Sequence, residues 1–425
     1  MGIIKTDLFF INKFIGRFSP LFSKKQMTVF LLCFYTMFKD YKRTSLFEMA
    51  KVVNVDYQRF QYFFCDSKWD LDGIRNKRLE IIENQLTTAS TPEGILALDD
   101  TGCPKAAAKK TEGAKYQYCG PLKRQEVCNV VVASTFVSST KHFPVDIMPY
   151  MPASCFDSGK NDPQFMTKIE IAKELIDKAI KSNIKFSSIG FDSWYGSSEF
   201  IEYIDETIKL KFFSEIKTNR SIFMFHPVKK KHCVIKPDEL VTLIRKSFKS
   251  KIRRITYKTK GGSEVCLPTY AFKAKLNDCD VELKFLVVLG KWNEEDDKKF
   301  HILITNQLET TSKSIMKTYL LRWGIEHCFK ELKDTFNFDQ YQLRHIKKIK
   351  RYWNLCLLAW TLVYMVKQNA YLHKIFETRP ETFNGHKTAI NSLIDLSSVT
   401  EILNNKETAR QYIERIVPNI KKKAA

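Results

Sequence analysis

Tyr319, Arg322, Glu326 and Lys333 supply a phenol, a guanidinium, a carboxylate and an ammonium within fifteen residues. Their spacing of three, four and seven places all four within about 60° of one another on a single α-helix turning about 100° per residue. Leu321, Ile325, Cys328, Leu332 and Phe336 fall on the adjoining stripe, so the helix has an apolar packing face beside a charged one. Taken alone, this is also the pattern of an amphipathic surface helix with ordinary ion pairs. Two further stretches add chemistry. Ile95-Leu96-Ala97-Leu98-Asp99-Asp100-Thr101-Gly102 predicts a buried strand ending in carboxylates, and Ser187 to Gly196 repeats the arrangement around Asp192. Two strand-end aspartates and one helical glutamate are oxygen ligands on rigid elements, the donor set that hard divalent cations take.

With these residues the sequence resembles the DDE transposases of bacterial insertion sequences, within the RNase H-like superfamily. The group it looks most like carries a Tyr-x2-Arg-x3-Glu-x6-Lys signature on the helix of its third acid, matched by Tyr319, Arg322, Glu326 and Lys333. The first acid of that family sits in an Asp-x-Thr strand end, matched by Asp99-Asp100-Thr101. The second sits in Asp-x-Gly-Tyr-Gly, matched by Asp192-Ser193-Trp194-Tyr195-Gly196, with Trp194 where the family has glycine. The likeness runs from roughly residue 45 to 365.

The resemblance implies an α/β fold, an RNase H-like catalytic core interrupted by a β-rich insertion and preceded by a helical N-terminal domain. It implies two Mg2+ or Mn2+ ions held by Asp99, Asp192 and Glu326, with Asp99 chosen over Asp100 by the family spacing. Arg322 and Lys333 would bind the strained phosphates, and Tyr319 would hydrogen-bond or stack at the cleaved end. The implied partners are double-stranded DNA, as element ends and target, and a second copy in a DNA-bound homodimer. Two other classes stay open: a DNA-binding regulator that has lost catalysis, and an RNase H-like host nuclease.

The rest of the chain predicts the helices and strands that hold these groups. Residues 1–90 predict helices, among them a helix-turn-helix candidate in which Thr44 to Asn54 precedes a second helix from about Asp56 to Phe64. Gln58, Arg59 and Gln61 would face bases there; a plain pair of packed helices is the alternative. Residues 91–212 predict the first part of the core, with strands at Asn129–Phe136 and Pro144–Met148 and a helix at Phe165–Lys181. Pro104 to Gly113 predicts a basic loop suited to a phosphate backbone. Residues 213–308 predict the β-rich insertion, with Gly261-Gly262 and Asn277-Asp278 as turns and an exposed charged loop at Asn293 to Lys299. Residues 309–370 predict the second part of the core, including the glutamate helix and a cationic His345 to Arg351 stretch that could clamp phosphates. Residues 371–425 predict a helical and basic tail ending in Ile420 to Lys423.

Composition agrees. Among 425 residues, 69 Lys and Arg stand against 47 Asp and Glu, a net charge of +22 that favours a polyanionic partner. Leu355 to Val366 is too short to span a bilayer and predicts a buried helix behind the glutamate helix, so no membrane association is expected. The 11 cysteines are scattered without a Cys-x-x-Cys pair, and no signal peptide opens the chain, which points to a reducing cytoplasm. His226, His232 and Cys233 lack a fourth ligand at zinc spacing and predict surface or strand residues.

Overall fold

A computed structural model of the chain describes residues 10–40, 44–108, 110–226, 228–258, 264–292, 299–369 and 379–404. The Gly261-Gly262 turn, most of the 293–299 loop and the Ile420–Lys423 tail lie outside them. The described residues divide into two compact units, one within 1–89, 109–112 and 330–425, the other within 90–108 and 113–329.

The first unit is helical. Ser23 opens the helix Lys24–Thr36 with a capping box, its hydroxyl accepting from the Gln26 N–H while the Gln26 side chain accepts from the Ser23 N–H. Ser45 caps Leu46–Val52, and Asp56 caps Tyr57–Cys65. Asn54, at φ 51°, makes the left-handed turn between these two helices, a conformation asparagine tolerates better than most residues. The second helix buries Phe60, Phe63 and Phe64 and leaves Gln58, Arg59 and Gln61 exposed. The helix Ile346–Gln368 is apolar on nearly every side because the unit surrounds it, with Trp353, Trp360 and Leu355 to Leu358 all buried. Tyr352 donates to the carbonyls of Phe336 and Asn337, and Trp360 donates to Glu331, so this helix does pack behind the C-terminal part of the glutamate helix. Among the described residues, no helix is long and apolar enough to cross a membrane.

The second unit is built on a mixed sheet of 12 strands. They are β1 (Ile95–Pro104), β2 (Lys115–Cys119), β3 (Arg124–Val137), β4 (His142–Tyr150), β5 (Ser188–Phe191), β6 (Lys211–Glu215), β7 (Ile222–His226), β8 (Lys231–Ile235), β9 (Arg253–Lys258), β10 (Glu264–Leu276), β11 (Leu283–Leu289) and β12 (Phe300–Thr305). The main path runs β2-β3-β1-β5-β6-β12-β11-β10-β7-β8, with β4 on β3 and β9 on β10. β1, β3 and β4 are antiparallel, whereas β5 and β6 run parallel to β1. The strands expected between residues 252 and 305 are present and continue this same sheet through the pairing of β12 with β6.

Alternation along β1 sends its side chains to two faces. Ile95 and Ala97 pack with Ala133 and Val137 beneath Ile325 and Phe329 of the helix Gly324–Phe336. The helix Lys168–Lys181, capped by a Thr167/Glu170 box and burying Ile171, Ala172, Leu175, Ile176 and Ala179, forms another layer of the unit.

One expectation is corrected. Tyr319, Arg322 and Glu326 do not share an uninterrupted helix, because Ser312–Leu321 ends at Arg322 and a new helix starts at Gly324. The N–H groups of Arg322, Trp323 and Ile325 bond three residues back, to Tyr319, Leu320 and Arg322, tightening the chain into a turn. Gly324 explains the position of the break. A Cβ there would lie 2.4 Å from Val137 Cγ1, so glycine lets the start of the glutamate helix seat directly on the sheet.

Candidate active site

The two aspartates meet through sheet register. Parallel pairing of β1 with β5 sets Leu98 opposite Phe191, so the next residue on each strand, Asp99 and Asp192, emerges side by side. Neighbouring strands lie about 4.8 Å apart. Asp99 has the parity of Ile95 and Ala97 and therefore projects toward the glutamate helix. Asp100 points to the opposite face, where its carboxylate accepts from Lys168 Nζ at 2.9 Å and from the Tyr195 hydroxyl at 3.1 Å.

Arg322 joins the acids. One guanidinium nitrogen donates to Asp99 Oδ2 at 3.2 Å and the other to Glu326 Oε1 at 3.1 Å. Its side chain is only 8% exposed, while that of Glu326, in the first turn of its helix, is 56% exposed. Gly190 on β5 lies beside Arg322; a Cβ there would stand at an ordinary 3.7 Å from Arg322 Cβ but at 2.8 Å from Ile95 Cδ1, so it is Ile95 that the glycine accommodates. The guanidinium Nε is buried with no hydrogen-bond partner, so the group is held by its two carboxylates rather than by a full donor network.

The electrostatics reflect crowding. Burial, then the neighbouring Asp192 and Asp100 charges, push Asp99 up to about 8, against the opposing pull of Arg322 and the Asp100 N–H. Burial also raises Asp192, while Arg322 and the Trp194 N–H oppose the rise. Burial works against the charge on Arg322, yet Tyr319, Asp99 and Glu326 hold its pKa above the ordinary arginine value. Among the described residues, Arg322 is the cation hydrogen-bonded to both Asp99 and Glu326.

Tyr319 stands behind this cluster. It is 2% exposed, its hydroxyl donates to Glu215 Oε2 at 3.0 Å, and its ring lies 5.6 Å from the Arg322 guanidinium and 5.6 Å from the Trp292 ring. Glu215 also meets His301 Nδ1 at 2.7 Å. Lys333 lies on the glutamate helix two turns beyond Glu326, half-buried, where the chain has entered the helical unit. Arg351, expected in a phosphate clamp, is buried instead and donates to the carbonyls of Phe63 and Ser67; Lys347 and Lys350 of that stretch are exposed.

Trp194 needs no special backbone, since its φ is not positive and its N–H simply closes a turn on Asp192 Oδ1 at 3.0 Å. Its side chain is 44% exposed, with Lys168 Nζ 4.9 Å and Lys217 Nζ 6.0 Å from the ring centre. Lys168, Glu215 and Trp292 are site neighbours that the sequence reading missed. Lys168 alone had a local signal, as the first residue after the Thr167 cap on a helix leading toward Asp192.

Comparison with known proteins follows this geometry. A family model described as DDE superfamily endonuclease matches residues 17–233, half of the chain, and a model described as transposase DDE domain matches residues 162–362. The first spans Asp99 and Asp192, and the second spans Asp192 and Glu326. A probable transposase for insertion sequence element IS701 from Microchaete diplosiphon is 34% identical over 188 residues, which cover 43% of this chain and 47% of that protein. The match therefore spans about half the length of that relative. The three acids gathered at one sheet face, the two model matches and this similarity agree, and the chain belongs to the DDE transposases of insertion sequences.

Proposed function

We propose that the protein is a metal-dependent DNA transposase that cuts at the ends of an insertion sequence and joins the freed 3′-hydroxyls to target DNA. The observation that carries this is the register of β1 with β5, which sets Asp99 beside Asp192 on the face where Glu326 and Arg322 sit. The order β4-β3-β1-β5-β6, three antiparallel strands followed by two parallel ones, supports an RNase H-like core. In this proposal residues 91–212 and 309–370 form the core, 213–308 a β-rich insertion, 1–90 a helical DNA-binding domain and 371–425 a C-terminal tail.

The donor set fits divalent ions. Asp99, Asp192 and Glu326 offer hard oxygens, and Asp99, raised first by burial and then by the Asp192 charge, is a carboxylate whose ionised form a bound cation would favour. Two Mg2+ or Mn2+ ions, when bound, would activate the attacking oxygen and stabilise the leaving one. Everything else falls to the chain. Asp99, raised to about 8, would have to give up a proton to serve as a ligand, so ion binding would tighten as pH rises. Arg322, released from Asp99 and Glu326, carries a rigid pair of donors to the charge that develops on the scissile phosphate. Tyr319, held by Glu215, positions the Arg322 guanidinium by supporting it from behind. Lys333 contributes a further phosphate contact. Gln58, Arg59 and Gln61, exposed on the second helix of the helix-turn-helix, read the element end, and two copies hold two ends.

The test is Mg2+-dependent cutting of the DNA that flanks the reading frame, comparing wild type with Glu326→Gln and following binding by gel shift. The expected result is that both bind and only wild type cuts. Binding without cutting by wild type under Mg2+ or Mn2+ would instead identify a DNA-binding regulator.

A further inference from the structure

The hairpin β7–β8 departs from the rule that an antiparallel ribbon presents one apolar and one polar face. Ile222, Met224 and Ile235 point inward, and the helix Pro237–Ser247 that follows the hairpin buries Leu240, Val241 and Ile244. The outer face is apolar as well. Phe223 pairs with Val234 and Phe225 with His232 across the strands, and these two phenylalanines and the valine are 41%, 51% and 50% exposed. The His232 ring stacks on Phe223 at 5.6 Å and meets Phe225 edge-on at 5.4 Å.

The hairpin segment itself carries charge of one sign, while beside it Asp278 pairs with Arg220 and Asp280 with Lys275. From Ile216 to Pro237 there are six Lys and Arg residues and no Asp or Glu, and Lys229, Lys230 and Lys231 at the tip are all exposed. Lys231 at the start of the edge strand β8, with Lys229 and Lys230 in the turn before it, opposes pairing with another strand of like charge, which disfavours a second copy here. They favour a polyanion, and exposed rings beside lysines are the means by which proteins hold bases and phosphates together.

Sheet geometry aims the patch. Along β10, Leu267 packs in the cluster that contains Tyr319 of the helix Ser312–Leu321, so it lies on the face that carries the acids. Lys275 is eight residues on, hence of the same parity, and it pairs directly with Phe223. The aromatic patch therefore opens to the same side of the sheet as Asp99 and Asp192, five strand spacings away from β5, roughly 24 Å.

We infer that the hairpin Ile222–Ile235 is a second DNA contact, gripping the duplex that leads away from the scissile phosphate. Phe223 and Phe225 contact the bases and sugars, and Lys229 to Lys231 contact the phosphates. This rests on the proposed DNA substrate but not on catalysis, so it is measured without divalent metal.

The experiment is fluorescence anisotropy of a labelled 40-base-pair duplex carrying one element end, titrated in EDTA across a salt series. The variants are Phe223→Ser/Phe225→Ser and Lys229→Gln/Lys230→Gln/Lys231→Gln, with circular dichroism to show that the sheet persists. The phenylalanine variant is expected to bind about tenfold more weakly with an unchanged salt slope, since ring contacts release no counterions. The lysine variant is expected to flatten the slope by about 2 to 3. Binding by the phenylalanine variant within twofold of wild type overturns the inference. So does a wild-type dimer that this variant converts to monomer in sedimentation with DNA affinity intact, since the face would then belong to a second copy. Cutting by wild type with unchanged hairpin binding would leave the catalytic reading standing, and hairpin binding without cutting would do the reverse.

Discussion

Adjacent residues of one strand have opposite fates in this site. Asp99 and Asp100 are chemically identical, yet Asp100 meets a lysine and a tyrosine on one face while Asp99 shares a single arginine with Glu326 on the other. The consequence is a pH-dependent instability in the metal-free protein. The folded pKa of Asp99 lies near 8 against an ordinary 3.8, so the folded chain holds a proton that the unfolded chain releases across that window. Stability is greatest below the lower value and falls as pH rises toward the upper one. Urea unfolding in EDTA at pH 5 and pH 8 should show a larger loss for wild type than for Asp99→Asn, and added Mg2+ should cancel the difference. Equal losses in both proteins would mean that Asp99 is not strained by its neighbours. The acid candidates were legible because an apolar run ending in a carboxylate is a local pattern. Glu215, 104 residues from the tyrosine it holds, has no local signal.

At the scale of elements, the break between the two helices at Arg322–Trp323 decides how the site is built. The sequence hides this break because the apolar and charged stripes run through it in phase; only Gly324 hints at it, and its reason is a contact with Val137 on a distant strand. Gly324→Ala should therefore destabilise the protein by about 1–3 kcal/mol, the range for forcing extra volume into a packed core. Val137→Ala in the same chain should recover part of that loss. A double-mutant cycle by chemical denaturation measures it, and additive effects would show that the glycine is not needed for this approach. The helix pair Leu46–Val52 and Tyr57–Cys65 was legible from its caps and periodicity. The hairpin β7–β8 was not, since apolar residues on both faces erase the alternation that marks a half-buried strand.

For the whole molecule, the sequence order of segments does not give their grouping. Residues 10–89 share a compact unit with residues beyond 330, joined by contacts such as Arg351 with the carbonyls of Phe63 and Ser67. Such pairings over nearly 300 residues leave no periodic trace. The positive charge of the chain was legible as a preference for polyanions, but only the folded sheet shows Lys275 and Phe223 on the face of the acids.

In the proposed function the catalytic ions bind on the Asp99 face of the sheet and not on the Asp100 face. This is tested by Mg2+-titrated cutting of element-end DNA with Asp99→Asn and Asp100→Asn side by side, binding being confirmed by gel shift. Asp99→Asn is expected to bind DNA but not to cut at any Mg2+ concentration. Asp100→Asn should still cut, with at most a weaker Mg2+ response from the loosened Lys168 and Tyr195 contacts. Cutting by Asp99→Asn at the wild-type rate, or its abolition in Asp100→Asn alone, would contradict the assignment.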